Sequence, residues 1–150
     1  MNVFLANEQD LPVDETRLTA LARHVLEREA VEEGTELSLL LVTQDHIHRL
    51  NKRFAGDDHA TDVLAFPMME DGADEDEDGA LLLGDVVMCP AIAERNAADI
   101  GHPLSDELDA LVVHGTLHLL GYDHQNDDER RKMDDRAAEI VASFDPAATS

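Results

Sequence analysis

The chain has 150 residues, the size of one domain, and such a domain buries roughly two thirds of its unfolded surface. It carries 34 Asp and Glu against 11 Lys and Arg, a formal net charge of −23, and one cysteine, Cys89. An intrachain disulfide is therefore excluded, and a structural metal would have to be held by histidine or carboxylate. The opening MNVFLANEQD has no basic region and no long apolar run, so neither a signal peptide nor a membrane span is expected, and the expected location is the cytoplasm. Asp outnumbers Glu, 20 to 14, and Lys52 and Lys132 are the only lysines. Two readings of this surface stay open: a host with a salty cytoplasm, where self-repulsion is screened, or an acidic protein of an ordinary cell.

Residues 2–5 read as a short strand. Asp14 is placed to cap a helix running to about residue 30, with Leu18, Leu21, Ala22, Val25 and Leu26 at helical spacing and Gly34 as its breaker. The apolar run ELSLLLVT, residues 36–43, predicts a buried strand. Asp45 is placed to cap a second helix through Ile47 and Leu50 to about Phe54, and TDVLAFP, residues 61–67, predicts a strand stopped by proline. Residues 70–79, EDGADEDEDG, read as an acidic mobile loop dispensable for folding. Residues 80–90, ALLLGDVVMCP, predict another strand, with Pro90 at the start of a helix over about 91–99. Gly101 and Pro103 separate that helix from one capped by Ser105. A last amphipathic helix is expected over about 127–141, with Met133, Ala137, Ile140 and Val141 on one face. Without repeats or a boundary, residues 1–150 form a single α+β (α/β) domain with a mixed central sheet of about four strands packed by helices. The strand order is not fixed by the pattern.

The helix after Ser105 carries Leu108, Leu111, Val112, His114, Leu117 and His118. Residues four apart share a helix face, so His114 and His118 direct their rings to one point. Gly121 is suited to a left-handed helix end, after which the chain turns and brings His124 to the same point. Three imidazoles with one open position are a usual catalytic zinc set, with bonds of about 2.0–2.1 Å. A lone histidine here would read as an ordinary half-buried one; three at this spacing predict one zinc per chain held by His114, His118 and His124, on a zincin-like scaffold. The spacing matches the zinc proteases, but Gly115 stands where those carry their glutamate base. Glycine inside a helix costs about 1 kcal/mol against alanine, so Gly115 is expected to serve a close approach of backbone or ligand.

HGTLHLLGYDH, residues 114–124, resembles the signature of the YbeY family, bacterial metal-dependent endoribonucleases of ribosomal RNA maturation. TDVLAFP resembles that family's Thr-Asp-Val-Leu-Ser-Phe-Pro segment with Ala65 in place of serine, LGDVVMC its Leu-Gly-Asp-Ile strand, and LNKRFAGDD its Leu-Asn-x-x-Tyr-Arg-Gly stretch. Their order and spacing agree over most of the chain. The resemblance implies a single-strand-directed zinc endoribonuclease acting on rRNA precursors, in 16S 3′-end maturation and ribosome quality control, with zinc on His114, His118 and His124 and a small-subunit ribosomal protein as a further partner. Alternatives are an assembly factor with structural zinc and weak nuclease activity, and a zinc hydrolase of another substrate. Ala55 departs from the family's arginine, which the resemblance places at the metal cleft, and Ala60 from its usual proline. Arg53 is the candidate replacement, as a catalytic cation and, with Lys52, as a substrate-binding one. Asp62, Asp85 and Asp123 are candidate auxiliary carboxylates, Asp123 as an acceptor for a ligand histidine's second N–H. Whether a zinc-activated water or the RNA's own 2′-hydroxyl attacks stays open.

Overall fold

The computed structural model describes residues 1–68, 81–123 and 125–145; the acidic stretch 70–79 and His124 lie outside the described residues. The elements are β1 (Asn2–Asn7), α1 (Glu15–Arg28), β2 (Thr35–Leu41), α2 (Gln44–Leu50) running into a π-helical turn (Asn51–Ala55), β3 (Val63–Pro67), β4 (Leu81–Met88), α3 (Pro90–Asp99), α4 (Leu104–Leu119) and α5 (Asp127–Ser143). The strands form one mixed sheet in the order β1-β2-β4-β3. β1, β2 and β4 run parallel, and β3 closes the edge antiparallel to β4.

Alternation along the strands divides the apolar side chains between two layers. Leu37, Leu39 and Leu41 of β2 and Val86 and Met88 of β4 join α1, α4 and α5 in the main core. Val87 of β4 and, beyond it, Cys89 face the other way, into a smaller cluster with Val42 and Ile47, against which Leu64 and Phe66 of β3 pack. Each fully buried aliphatic side chain contributes about 1.5–3 kcal/mol, so the larger layer dominates the stability. Its central element is α4, which packs against α1, α3, α5, β3 and β4.

The boundaries depart from the pattern at several points. α1 ends before Gly34: Ala30 takes the left-handed conformation (φ 53°), and the Val31 N–H reaches back to the Leu26 carbonyl at 3.2 Å. The side chain that caps α2 is that of Thr43, which accepts from the His46 N–H, while Asp45 lies in the first turn. α4 starts at Leu104 behind an extended Pro103, so Ser105 is inside the helix instead of capping it. Val141 is exposed, because α5 buries only the stripe of Met133, Ala137 and Ile140. Asp14 does cap α1, accepting from the Arg17 N–H at 3.0 Å, and Pro90 does open α3.

Candidate functional site

α4 lies across β3 and β4, with Gly115 set directly against Val86. A Cβ at this position would stand 2.7 Å from Val86 Cγ1. The close approach at Gly115 is thus to the branched side chain of a core strand instead of to backbone. With the helix this low over the sheet, His114 and His118, on either side of Gly115, face a cleft of about 420 Å³. Its walls are Val63, Leu64 and Ala65 of β3, His114, Gly115 and His118 of α4, and Arg130, Met133 and Asp134 of α5.

The His114 ring is oriented by its own helix. Its Nδ1 lies 2.8 Å from the Ala110 carbonyl oxygen. A carbonyl can only accept, so Nδ1 carries the proton and the neutral ring has its lone pair on Nε2. Nε2 in turn lies 3.3 Å from Asp134 Oδ1. In the imidazolium this contact is a hydrogen bond; in the neutral ring two lone pairs face each other, an arrangement suited to a cation. The acceptor for the Nδ1–H of His114 is therefore the Ala110 carbonyl. α4 then ends as the sequence suggests: Gly121 has φ 105°, its N–H donates to the His118 carbonyl at 3.1 Å, and the Tyr122 N–H donates to that of Leu117 at 3.1 Å.

His114 and His118 supply donors of the type zinc takes, on one wall and one turn apart. Among the described residues no three His, Cys, Asp or Glu side chains cluster closely enough to hold a metal alone. The third expected ligand, His124, is outside that set.

The other sequence candidates lie elsewhere. Lys52 and Arg53 are on the exposed π-helical turn and do not line the cleft. Lys52 Nζ is 3.8 Å from Asp58, whose carboxyl is held below its ordinary range first by the His48 ring nitrogen at 2.8 Å and then by Lys52. The Arg53 guanidinium lies 5.2 Å from the Phe54 ring centroid, and Phe54 meets Phe66 edge-on at 5.5 Å. Phe66 belongs to the cluster on the sheet face away from α4, which is why this turn does not reach the histidines. Ala55 is exposed on the same turn. Asp62 accepts from Asn96 Nδ2 at 3.3 Å and Thr61 Oγ1 at 3.4 Å. Asp85 alternates with Val86 and so points away from α4. Asp123 lines a separate groove with Tyr122, Glu129 and Lys132.

The sequence groups Arg130 with Arg131 and Lys132 as one of two clusters of scarce cations without placing it at the site, gives Met133 to the core alone and does not single out Asp134. The signal was present in their spacing: positions 130, 133 and 134 form one stripe of α5. Which helix that stripe would meet is a tertiary matter.

The endoribonuclease YbeY family model matches residues 4–145. The chain is 45% identical over 151 residues to the endoribonuclease YbeY of Salinispora tropica, covering 96% of each chain. It is 44% identical to that of Thermobifida fusca, with 96% of this chain and 94% of the relative covered. Among solved structures it is similar to the solution structure of TM1509 from Thermotoga maritima, with a TM-score of 0.61 and 27% identity over 93% of this chain and 89% of that one.

Proposed function

From the premise that the chain belongs to the endoribonuclease YbeY family, we propose that it hydrolyses phosphodiester bonds of single-stranded RNA in the cleft between α4, α5 and β3, with rRNA precursors as substrate. The observation that carries this reading is the pair His114 and His118 opening on one cleft, with Gly115 between them in place of a peptidase glutamate.

His114 and His118, with His124, are the residues to hold a zinc ion, and bound zinc supplies Lewis-acid chemistry at neutral pH. The residues of the chain prepare that chemistry. The Ala110 carbonyl fixes the His114 tautomer so that Nε2 is the ligating nitrogen. Gly115 lowers α4 onto Val86 and sets the height of both rings over the sheet. Val63, Ala65 and Met133 give the cleft apolar walls, against which a base can lie only when it is unpaired. That favours loops and single-stranded ends over duplex. A small-subunit ribosomal protein is the expected further partner, because a surface of net charge −23 attracts RNA poorly. A cytoplasmic location accords with such a substrate. Among the described residues no helix is long and apolar enough to cross a membrane.

The test is purified protein with its metal content measured, incubated with rRNA precursors in the presence and absence of chelator. Endonucleolytic products that disappear with chelator and return with zinc support the reading. Intact precursor at full metal occupancy overturns it.

A further inference from the structure

We propose that Arg130 is the phosphate-binding residue of this cleft, the cation that holds the RNA backbone beside His114 and His118; this rests on the nuclease reading above. Arg130 lies in the first turn of α5 and is the one Lys or Arg among the residues lining the cleft. It makes no ion pair among the described residues, although Asp134 is one turn further along the same stripe. Asp134 instead faces His114 Nε2 at 3.3 Å. Among the described residues the guanidinium thus has no ion-pair partner, and it lines a cleft whose one carboxylate, Asp134, is turned to His114.

Charge makes such a group necessary. The chain has 34 carboxylates and 11 Lys and Arg, and Asp134 adds a negative charge inside the cleft itself. A phosphodiester entering here meets repulsion unless a cation stands close by, since attraction from distant charges is screened within about 10 Å in ordinary salt. The alternatives are placed elsewhere. Lys52 pairs with Asp58, and Arg53 stacks by Phe54 on the turn that packs against the far face of β3. Arg131 and Lys132 follow Arg130 directly, but successive helical positions diverge by about 100°; Lys132 lines the separate groove with Asp123, and Arg131 lines neither. Arginine suits the task because its planar fork takes two phosphate oxygens at once.

The experiment measures binding of a labelled single-stranded 2′-O-methyl oligoribonucleotide to the zinc-loaded protein, alongside cleavage of the matching RNA. Arg130→Ala is expected to weaken binding about tenfold, the size of one lost charge-assisted contact. The slope of log affinity against log salt should fall by about 0.7, the value for one phosphate on a single strand. Arg130→Lys should recover part of the affinity. Arg131→Ala makes the same change in net charge outside the cleft and should leave binding near wild type. Equal effects of Arg130→Ala and Arg131→Ala, or no effect of Arg130→Ala, overturn the proposal, as does loss of zinc in Arg130→Ala. Wild-type protein that binds the oligonucleotide through Arg130 but does not cut RNA removes the nuclease reading and keeps Arg130. Protein that cuts RNA with Arg130→Ala binding unchanged does the reverse. Wild-type protein that binds no oligonucleotide removes both.

Discussion

Gly115 and Val86 are in contact so close that a methyl group at position 115 would stand 2.7 Å from Val86 Cγ1 and 3.2 Å from Cγ2. Val86 is fully buried and β-branched, so it has no easy rotamer to retreat into. Gly115→Ala gains about 1 kcal/mol in helix propensity but overpacks the core, at about 1–3 kcal/mol. We expect a net loss of stability in chemical denaturation. Val86→Ala should be less harmful in the Gly115→Ala background than alone, since it removes the clash. Additive losses would show that the contact does not set the height of α4.

The two-layer fold was legible because strands and helices alternate with clear periods, and because the caps at Asp14 and Pro90 and the turn at Gly121 are local chemistry. So was the juxtaposition of His114 and His118, which follows from helical spacing alone. The partners of His114 were not legible. Ala110 is an ordinary alanine whose carbonyl matters, and Asp134 is one carboxylate among 34 until α5 is laid beside α4. Lys52 and Arg53 lie outside the lining of the cleft for a related reason. Their distance from the histidines depends on which face of β3 the π-helical turn covers, and a one-residue change in strand phase would exchange the faces.

His118→Ala should abolish zinc binding, because it removes one of the two ligand-type side chains that share the α4 wall. The readout is metal content after dialysis, with the melting temperature followed with and without added zinc. The wild type should gain thermal stability from zinc and the variant should not, since a ligand that binds the folded state stabilises it by mass action. A His118→Ala protein that keeps its full zinc complement would remove His118 from the ligand set.

Arg17 and Asp109 join α1 to α4 away from the cleft. Arg17 Nη2 lies 2.7 Å from Asp109 Oδ2, and Nε lies 3.3 Å from both carboxylate oxygens. Asp109 is buried and Arg17 about one-third exposed. The bond to Asp109 raises the pKa of the Arg17 guanidinium above its ordinary value. Asp109→Ala should cost about 2 kcal/mol, less than for a fully buried pair because the freed arginine can turn to water. Arg17→Ala leaves a buried carboxylate behind and should cost at least as much. A double-mutant cycle with no coupling would show the pair to be incidental.

Tyr122 is the single tyrosine of the chain, so its ionisation can be followed directly by ultraviolet absorbance. Burial raises its pKa above the ordinary value of 10.0, and the Glu29 carboxylate that accepts its O–H at 3.1 Å raises it further. Arg136, bonded to the same carboxylate at 2.6 Å, acts in the opposite sense. A folded-state pKa above the unfolded one means a contribution to stability that is complete below pH 10 and is lost as pH rises through the folded value. Glu29→Gln should lower the midpoint of the absorbance titration while leaving it above that of free tyrosine, because burial remains. A wild-type midpoint at or below 10 would contradict the arrangement around Glu29.

The acidic surface predicts an unusual response to salt. Eleven Lys and Arg cannot neutralise 34 carboxylates, and those that pair among the described residues, Arg17, Lys52 and Arg136, reach only Asp109, Asp58, Glu29 and Glu139. The compact state therefore carries a self-repulsion that the expanded chain relieves. Raising KCl from about 0.1 to 1 M shortens the screening length from about 10 to 3 Å, so stability should keep rising over a range in which a balanced surface has already levelled off. Sucrose at matched water activity separates screening from solvent exclusion, since it strengthens burial without carrying charge. RNA cleavage should respond mildly over the same range: with Arg130 as the one cation lining the cleft, few counterions are released on binding, and the salt slope is set by about one phosphate contact, near −0.7. The measurement is urea denaturation and cleavage of one rRNA fragment across the KCl series. A protein most stable in dilute buffer would refute the repulsion, and a steep collapse of cleavage while the protein remains folded would show many more phosphate contacts than this cleft provides.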